Sequence, residues 1–137
     1  MSESIKESFE NLYGEAFKTY MEIEGTLMSR HTIQSIVNEI HETAKEKGWW
    51  DGPPRSPLEI YMLAVGELSE AVEDVRANKP EFYKEGEKPC GEAIEVVDCI
   101  IRLMDYAGYR KWDLEELIRI KMAYNETRSR RHGGKAY

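Results

Sequence analysis

At 137 residues and 41% hydrophobic content the chain holds enough apolar material for one compact core, and a second domain is not expected. No stretch reaches the roughly 20 apolar residues that cross a bilayer, and the start MSESIKESFE lacks the basic and apolar run of a secretion signal, so a cytoplasmic protein with no membrane contact is expected. The formal charge of -7 repels nucleic-acid phosphates, so nucleic acid is not the expected partner, and any phosphate ligand must be met by a local basic cluster or a metal.

From Ile5, the residues Phe9, Leu12, Tyr13, Ala16, Phe17 and Tyr20 follow the three-and-four spacing of one helix face, which predicts an opening helix. Thr32 is placed to cap a second helix, although Ser35 stands where a capping box has Glu or Gln. Ile33, Ile36, Val37, Ile40 and Ala44 make its apolar stripe, which ends before Gly48. The segment Gly48-Trp49-Trp50-Asp51-Gly52-Pro53-Pro54 reads as a loop, because proline lacks a backbone donor and restricts the residue before it. Ser56-Pro57-Leu58-Glu59 then supplies an N-cap, a first-turn proline and a third-position Glu, opening a helix that runs to about Asn78.

A polar linker from Lys79 to Pro89 leads to a helix from about Gly91 to Ala107, with Gly108 as its expected terminator. A last helix starts at Asp113, with Glu116 completing a capping box, and runs to about Arg128. Cys90 and Cys99 are too few for a disulfide scaffold and lack C-x-x-C spacing; Cys99 reads as a small core residue. No repeat, no heptads sustained over several turns and no alternating strand pattern are read, so the expected class is all-α, a bundle of four to five helices.

The acidic residues supply the chemistry. On the Ser56 to Asn78 helix, Ile60, Leu63, Ala64, Leu68, Ala71, Val72 and Val75 form the apolar arc, and Glu67 falls inside it, with Glu70 and Asp74 near its edge. A carboxylate aimed at a core costs several kcal/mol unless paired or metal-bound. The following helix carries Glu92, Glu95 and Asp98 at three-residue steps, sharing an arc with Arg102. Packed antiparallel, the two helices would gather Glu67, Glu70, Glu95 and Asp98. Oxygen-only donors favour a hard ion, magnesium or manganese, which in turn binds substrate phosphates. In a chain with 26 acidic residues either spacing alone also fits a solvated face.

Other residues suit a phosphate-bearing ligand. Of Trp49 and Trp50, one is expected to fill the core and the other to stack on a base, without the sequence deciding which. Lys121, Asn125 and Arg128 form a donor face on the last helix, and the tail residues Arg130, Arg131 and Lys135, around Gly133 and Gly134, suit closure over a triphosphate. Each has a plain alternative as solvated surface. His31 and His41 have no metal-ligand partners in the sequence and read as ordinary surface or core residues.

Gly66-Glu67-Leu68-Ser69-Glu70-Ala71, followed by Glu95-Val96-Val97-Asp98 and Ile100-Ile101-Arg102, resembles the paired E-x-x-E and E-x-x-D motifs of the MazG-like nucleotide pyrophosphohydrolases. Lys47-Gly48-Trp49-Trp50-Asp51, Lys121-Met122-Ala123-Tyr124-Asn125 and Arg131-His132-Gly133-Gly134-Lys135 resemble that family in order and spacing. The similarity runs from roughly Ile33 to the end, so residues 31–137 are expected to form the MazG-like domain, with an additional N-terminal helix in residues 1–30.

The resemblance implies an all-α enzyme that hydrolyses a nucleoside triphosphate to monophosphate and pyrophosphate. It implies magnesium held by Glu67, Glu70, Glu95 and Asp98, and assembly into dimers or tetramers that complete the bundle. Glu67 or Glu70 is the expected base. A non-catalytic helical interaction module and a nucleic-acid binder using the basic tail are the alternatives.

Overall fold

The computed structural model describes residues 32–128, together with Gly14, Thr19 and Glu22. Apart from Gly14 and Thr19, the expected opening helix from Ile5 to Tyr20 lies outside the described residues, as do Arg130, Arg131 and Lys135. The chain divides into two compact units, Met1–Ile36 and Val37–Tyr137. Among the described residues the elements are α1 (Ile33–Glu46), α2 (Pro57–Arg76), β1 (Tyr83–Glu85), β2 (Lys88–Cys90), α3 (Glu92–Tyr109) and α4 (Leu114–Glu126), an all-α fold with one small hairpin. No helix among them is long and apolar enough to cross a membrane.

The helix starts follow from short polar side chains. At α1, Thr32 Oγ1 accepts the Ser35 N–H at 3.0 Å, and Ser35 Oγ donates to the Thr32 carbonyl at 2.9 Å. The Ser35 hydroxyl bond runs to the Thr32 carbonyl, the opposite sense to a capping box, whose Glu or Gln accepts the N-cap N–H. Ser56 accepts the Leu58 N–H at 3.2 Å with Pro57 in the first turn of α2, and Asp113 accepts the Glu116 N–H at 3.0 Å at α4.

The stops share one device. In α1, α2 and α3 the chain turns through a left-handed residue, Gly48 (φ +78), Asn78 (φ +50) and Lys111 (φ +56). The following N–H reaches back to the carbonyl five residues earlier: Trp49 to Ala44 at 3.0 Å, Lys79 to Asp74 at 3.1 Å and Trp112 to Ala107 at 3.0 Å. These are Schellman closures, two of them made without glycine. They move two expected boundaries, since α2 ends at Arg76 before Asn78, and α3 runs through Gly108 to Tyr109.

Gly108 is therefore not the terminator expected of it. A Cβ there would stand 2.6 Å from the His41 Cβ, so the missing side chain lets α3 approach α1 closely. Gly→Ala inside a helix ordinarily gains about 1 kcal/mol of propensity. At Gly108 the overpacking, typically ~1–3 kcal/mol, is expected to reverse that sign. Gly108→Ala should melt below the native protein, and an unchanged or raised melting temperature would show that the two helices can separate freely there.

The expected polar linker holds a hairpin, with Tyr83 opposite Cys90, Lys84 opposite Pro89 and Glu85 opposite Lys88. Gly86, with φ +62, and Glu87 form its two-residue loop, the Gly-first arrangement that matches strand twist. Strands of three residues are too short to show an alternating pattern, and Pro89 is tolerated because both strands are edges.

Helices α2 and α3 pack against each other. Tyr61 meets Tyr106 edge-on and Glu67 meets Arg102, so rising numbers on α2 face falling numbers on α3, an antiparallel pair. Ile60, Ala64, Ala71 and Asp74 are buried on α2; Cys99, Tyr106 and Ala107 are buried on α3. A second stripe on α2, Leu58, Tyr61, Val65, Leu68, Val72 and Val75, recurs at three-and-four spacing with every member at least 41% exposed. That is a sustained heptad pattern, contrary to the expectation of none.

Candidate metal centre

Ile60, Ala64, Glu67, Ala71 and Asp74 form the inner stripe of α2, and the small alanines on either side of Glu67 leave room for its carboxylate. Glu67 is only 12% exposed. From α3 come Glu95 and Asp98, and carboxylate oxygens of Glu67, Glu95 and Asp98 all lie within 4.8 Å of one another. Glu70 is exposed and stands outside this group, but its charge reaches Glu95. Burial, and then the charges of Glu70, Asp98, Glu67 and Asp74, push the Glu95 carboxyl above its ordinary value of 4.5. A group so placed is relieved by a cation.

Two cations serve this region. Arg102, one turn beyond Asp98, donates from Nε to Glu67 Oε1 at 2.5 Å. Lys79 bonds the buried Asp74 at 2.7 Å, and this carboxylate, with the Tyr83 hydroxyl, holds the ammonium above its ordinary range. Asp74, like Glu67, is thus an inward carboxylate with a cationic partner, but it stands outside the three-oxygen group. The hairpin that carries Tyr83 brings that partner into place.

Two cavities meet at the acids. One, of about 560 Å³, is lined by Glu67, Asp98 and Arg102, by Ile40, Ala44, Ile101 and Trp49, and by Lys47 and Arg55, with the acids Glu39 and Asp105 also on its lining. The second, of about 420 Å³, is lined by Glu95 and Glu70 together with Lys79, Tyr83 and Lys88.

The tryptophans have different places. Trp50 stacks on Tyr109 with centroids 4.1 Å apart and rings 9° from parallel, and its Nε1 donates to both Asp105 oxygens at 2.9 and 3.1 Å. Asp105 also accepts from His41 Nδ1 at 2.7 Å, which ties α1, the loop and α3 together. Trp49 is 58% exposed and lines the larger cavity. Lys121, Asn125 and Arg128 are exposed on and just after α4 and line neither cavity; Lys121 Nζ sits 4.9 Å from the Tyr124 ring centre and Arg128 5.9 Å.

Arg102, Asp105 and His41 are positions at or beside the acids that were not expected to take part in the site. Arg102 was visible beside the acids on the α3 wheel. Asp105 lies seven residues after Asp98, on the same face, which is the signal that could have found it. Comparison with family models, curated proteins and solved structures returned no match to this chain.

Proposed function

We propose that the chain is a magnesium-dependent nucleoside triphosphate pyrophosphohydrolase of the MazG-like kind, releasing monophosphate and pyrophosphate. The observation that carries this reading is the three-carboxylate group, within 4.8 Å, two of whose members, Glu67 and Asp98, line a cavity that also offers an exposed indole and cations, while Glu95 lines the other. The donor set fits a hard divalent ion: it is all oxygen, and the raised Glu95 pKa marks charge that the protein leaves uncompensated. Glu67, Glu95 and Asp98 would hold the ion, with Glu70 beside them.

Bound magnesium, or manganese in its place, would neutralise phosphate oxygens and acidify a water. The protein's own groups then position the ligand, which is most of what phosphoryl chemistry asks of an enzyme. Trp49 offers a face to a nucleobase, and the apolar wall of Ile40, Ala44 and Ile101 excludes water behind it. Lys47, Arg55 and Arg102 supply positive charge to the phosphates. Glu70, outside the three-oxygen group, is placed to take a proton from the attacking water.

The exposed outer stripe of α2 supports a second part of the reading, assembly into a dimer or tetramer through that face. The test of the activity is direct. Purified protein with magnesium and a panel of ribo- and deoxynucleoside triphosphates should yield monophosphate and pyrophosphate, and none with a chelator present. A panel that stays intact, or that loses single phosphates, overturns the reading and favours a non-catalytic module. Oligonucleotide binding that weakens steeply with salt would instead favour the basic-tail alternative.

A further inference from the structure

The bond between Arg102 and Glu67 is the feature that the proposed chemistry does not yet explain. The arginine Nε is committed to Glu67, an oxygen donor of the candidate metal centre, and their side chains are 35% and 12% exposed. The nearby Asp105 is already engaged by Trp50 and His41. Among the described residues, Glu67 is therefore the ion-pair partner of Arg102. The rest of the guanidinium carries two Nη groups, and Arg102 lines the larger cavity with Glu67 and Asp98. A guanidinium cannot shed its proton near neutral pH, so Arg102 keeps its charge whether or not Glu67 is paired with it.

A divalent ion bound by Glu67 and the guanidinium now bonded to Glu67 compete for the same carboxylate. The ion would add two charges of the same sign as Arg102 beside the same carboxylate, in a setting only partly screened by water. Displaced from Glu67, Arg102 would be available to another anion, and the cavity it lines is where a polyphosphate would lie.

We propose that Arg102 is an exchangeable cation, pairing with Glu67 while the metal is absent and moving to a substrate phosphate oxygen when the metal takes that carboxylate. This rests on the metal-centre reading above and gives Arg102 two roles: stand-in for the ion, then direct ligand of the phosphate chain. The planar fork of its guanidinium suits two phosphate oxygens at once. The pairing also lowers the net charge of the acid group.

The test uses the full chain and two binding probes, manganese alone and inorganic triphosphate with magnesium, so it does not depend on which base is preferred. In Arg102→Gln, manganese is expected to bind about tenfold more tightly than in the native protein, because its competitor is gone. Inorganic triphosphate should bind about tenfold more weakly, because a charge-assisted contact is gone. Opposite movement of the two affinities is the signature; a merely structural arginine would weaken both or neither.

Manganese affinity that is unchanged or weaker in a variant with native circular dichroism overturns the exchange. Native triphosphate affinity overturns the transfer. If Gln is not tolerated, Arg102→Met, which keeps the apolar stem, is measured in the same way and must show the same opposition. A native protein that binds both probes but cleaves no nucleotide would sink the pyrophosphohydrolase reading, while the two affinities would still decide the role of Arg102.

Discussion

Glu95→Gln is expected to lose magnesium-dependent pyrophosphate release by about a hundredfold or more, some 2.7 kcal/mol at 1.36 kcal/mol per decade, while the metal-free protein becomes more stable. Glu95 is the informative choice among the three acids. Removing the Glu67 charge would leave Arg102 without its partner, confounding metal loss with an orphaned cation. Glu95 has the opposite problem: burial and four neighbouring carboxylates raise its pKa above 4.5.

A raised carboxyl pKa means that the folded chain binds the proton more tightly than the unfolded chain. Stability therefore falls as pH rises from the unfolded value through the raised folded value. At neutral pH the charge is a burden that glutamine removes without changing the shape. The metal-free variant is therefore expected to melt above the native protein at neutral pH. Magnesium should raise the native melting temperature, since a ligand of the folded state stabilises it by mass action, and should do so less in the variant. Full turnover in Glu95→Gln across a magnesium titration would remove Glu95 from the site.

The local signals explain which parts of this arrangement were legible in the sequence. Ser56 and Asp113 announce their helices because a cap needs only the side chain and the next few N–H groups. Glu67 was identifiable because the inner stripe of α2 is periodic within one helix, and the α3 acids follow in known order. The closures at Asn78 and Lys111 were not, since left-handed geometry at a non-glycine residue leaves a weak mark in sequence. Gly108 has two equally good local explanations, and only His41, on a helix 67 positions earlier, selects the close contact over the stop.

The same distance effect separates Trp49 from Trp50, adjacent and chemically identical until Asp105 accepts a bond from one of them. It also separates Asp74, bonded to Lys79, from the metal candidates, because only the packing of α2 on α3 decides which carboxylates come together. The α2 heptads were hidden for another reason. On a wheel drawn at 100° per residue, the inner stripe from Ile60 to Asp74 and the outer stripe from Leu58 to Val75 merge into one broad arc. Burial splits them.

That outer stripe sets the second large effect, since Val65→Glu is expected to convert an oligomeric native protein to single chains. Val65 lies near the middle of the stripe, 47% exposed, with Tyr61 and Leu68 as its neighbours along the face. Exposed apolar residues in a continuous heptad row offer knobs for a partner helix, and a like face on a second copy is the complementary surface a symmetric dimer uses. A charge placed there must be desolvated twice in such a dimer. Even ~2 kcal/mol at each site lowers the association constant about a thousandfold. The helix itself should persist, because Glu has a higher helix propensity than Val. Circular dichroism is therefore expected to stay native while sedimentation moves to the single-chain mass. Manganese binding should survive in those single chains if both helices of one chain suffice for the three carboxylates, as their 4.8 Å grouping implies. A native protein that already sediments as a single chain, or a Val65→Glu variant that sediments like the native oligomer, would show that this stripe is not the interface.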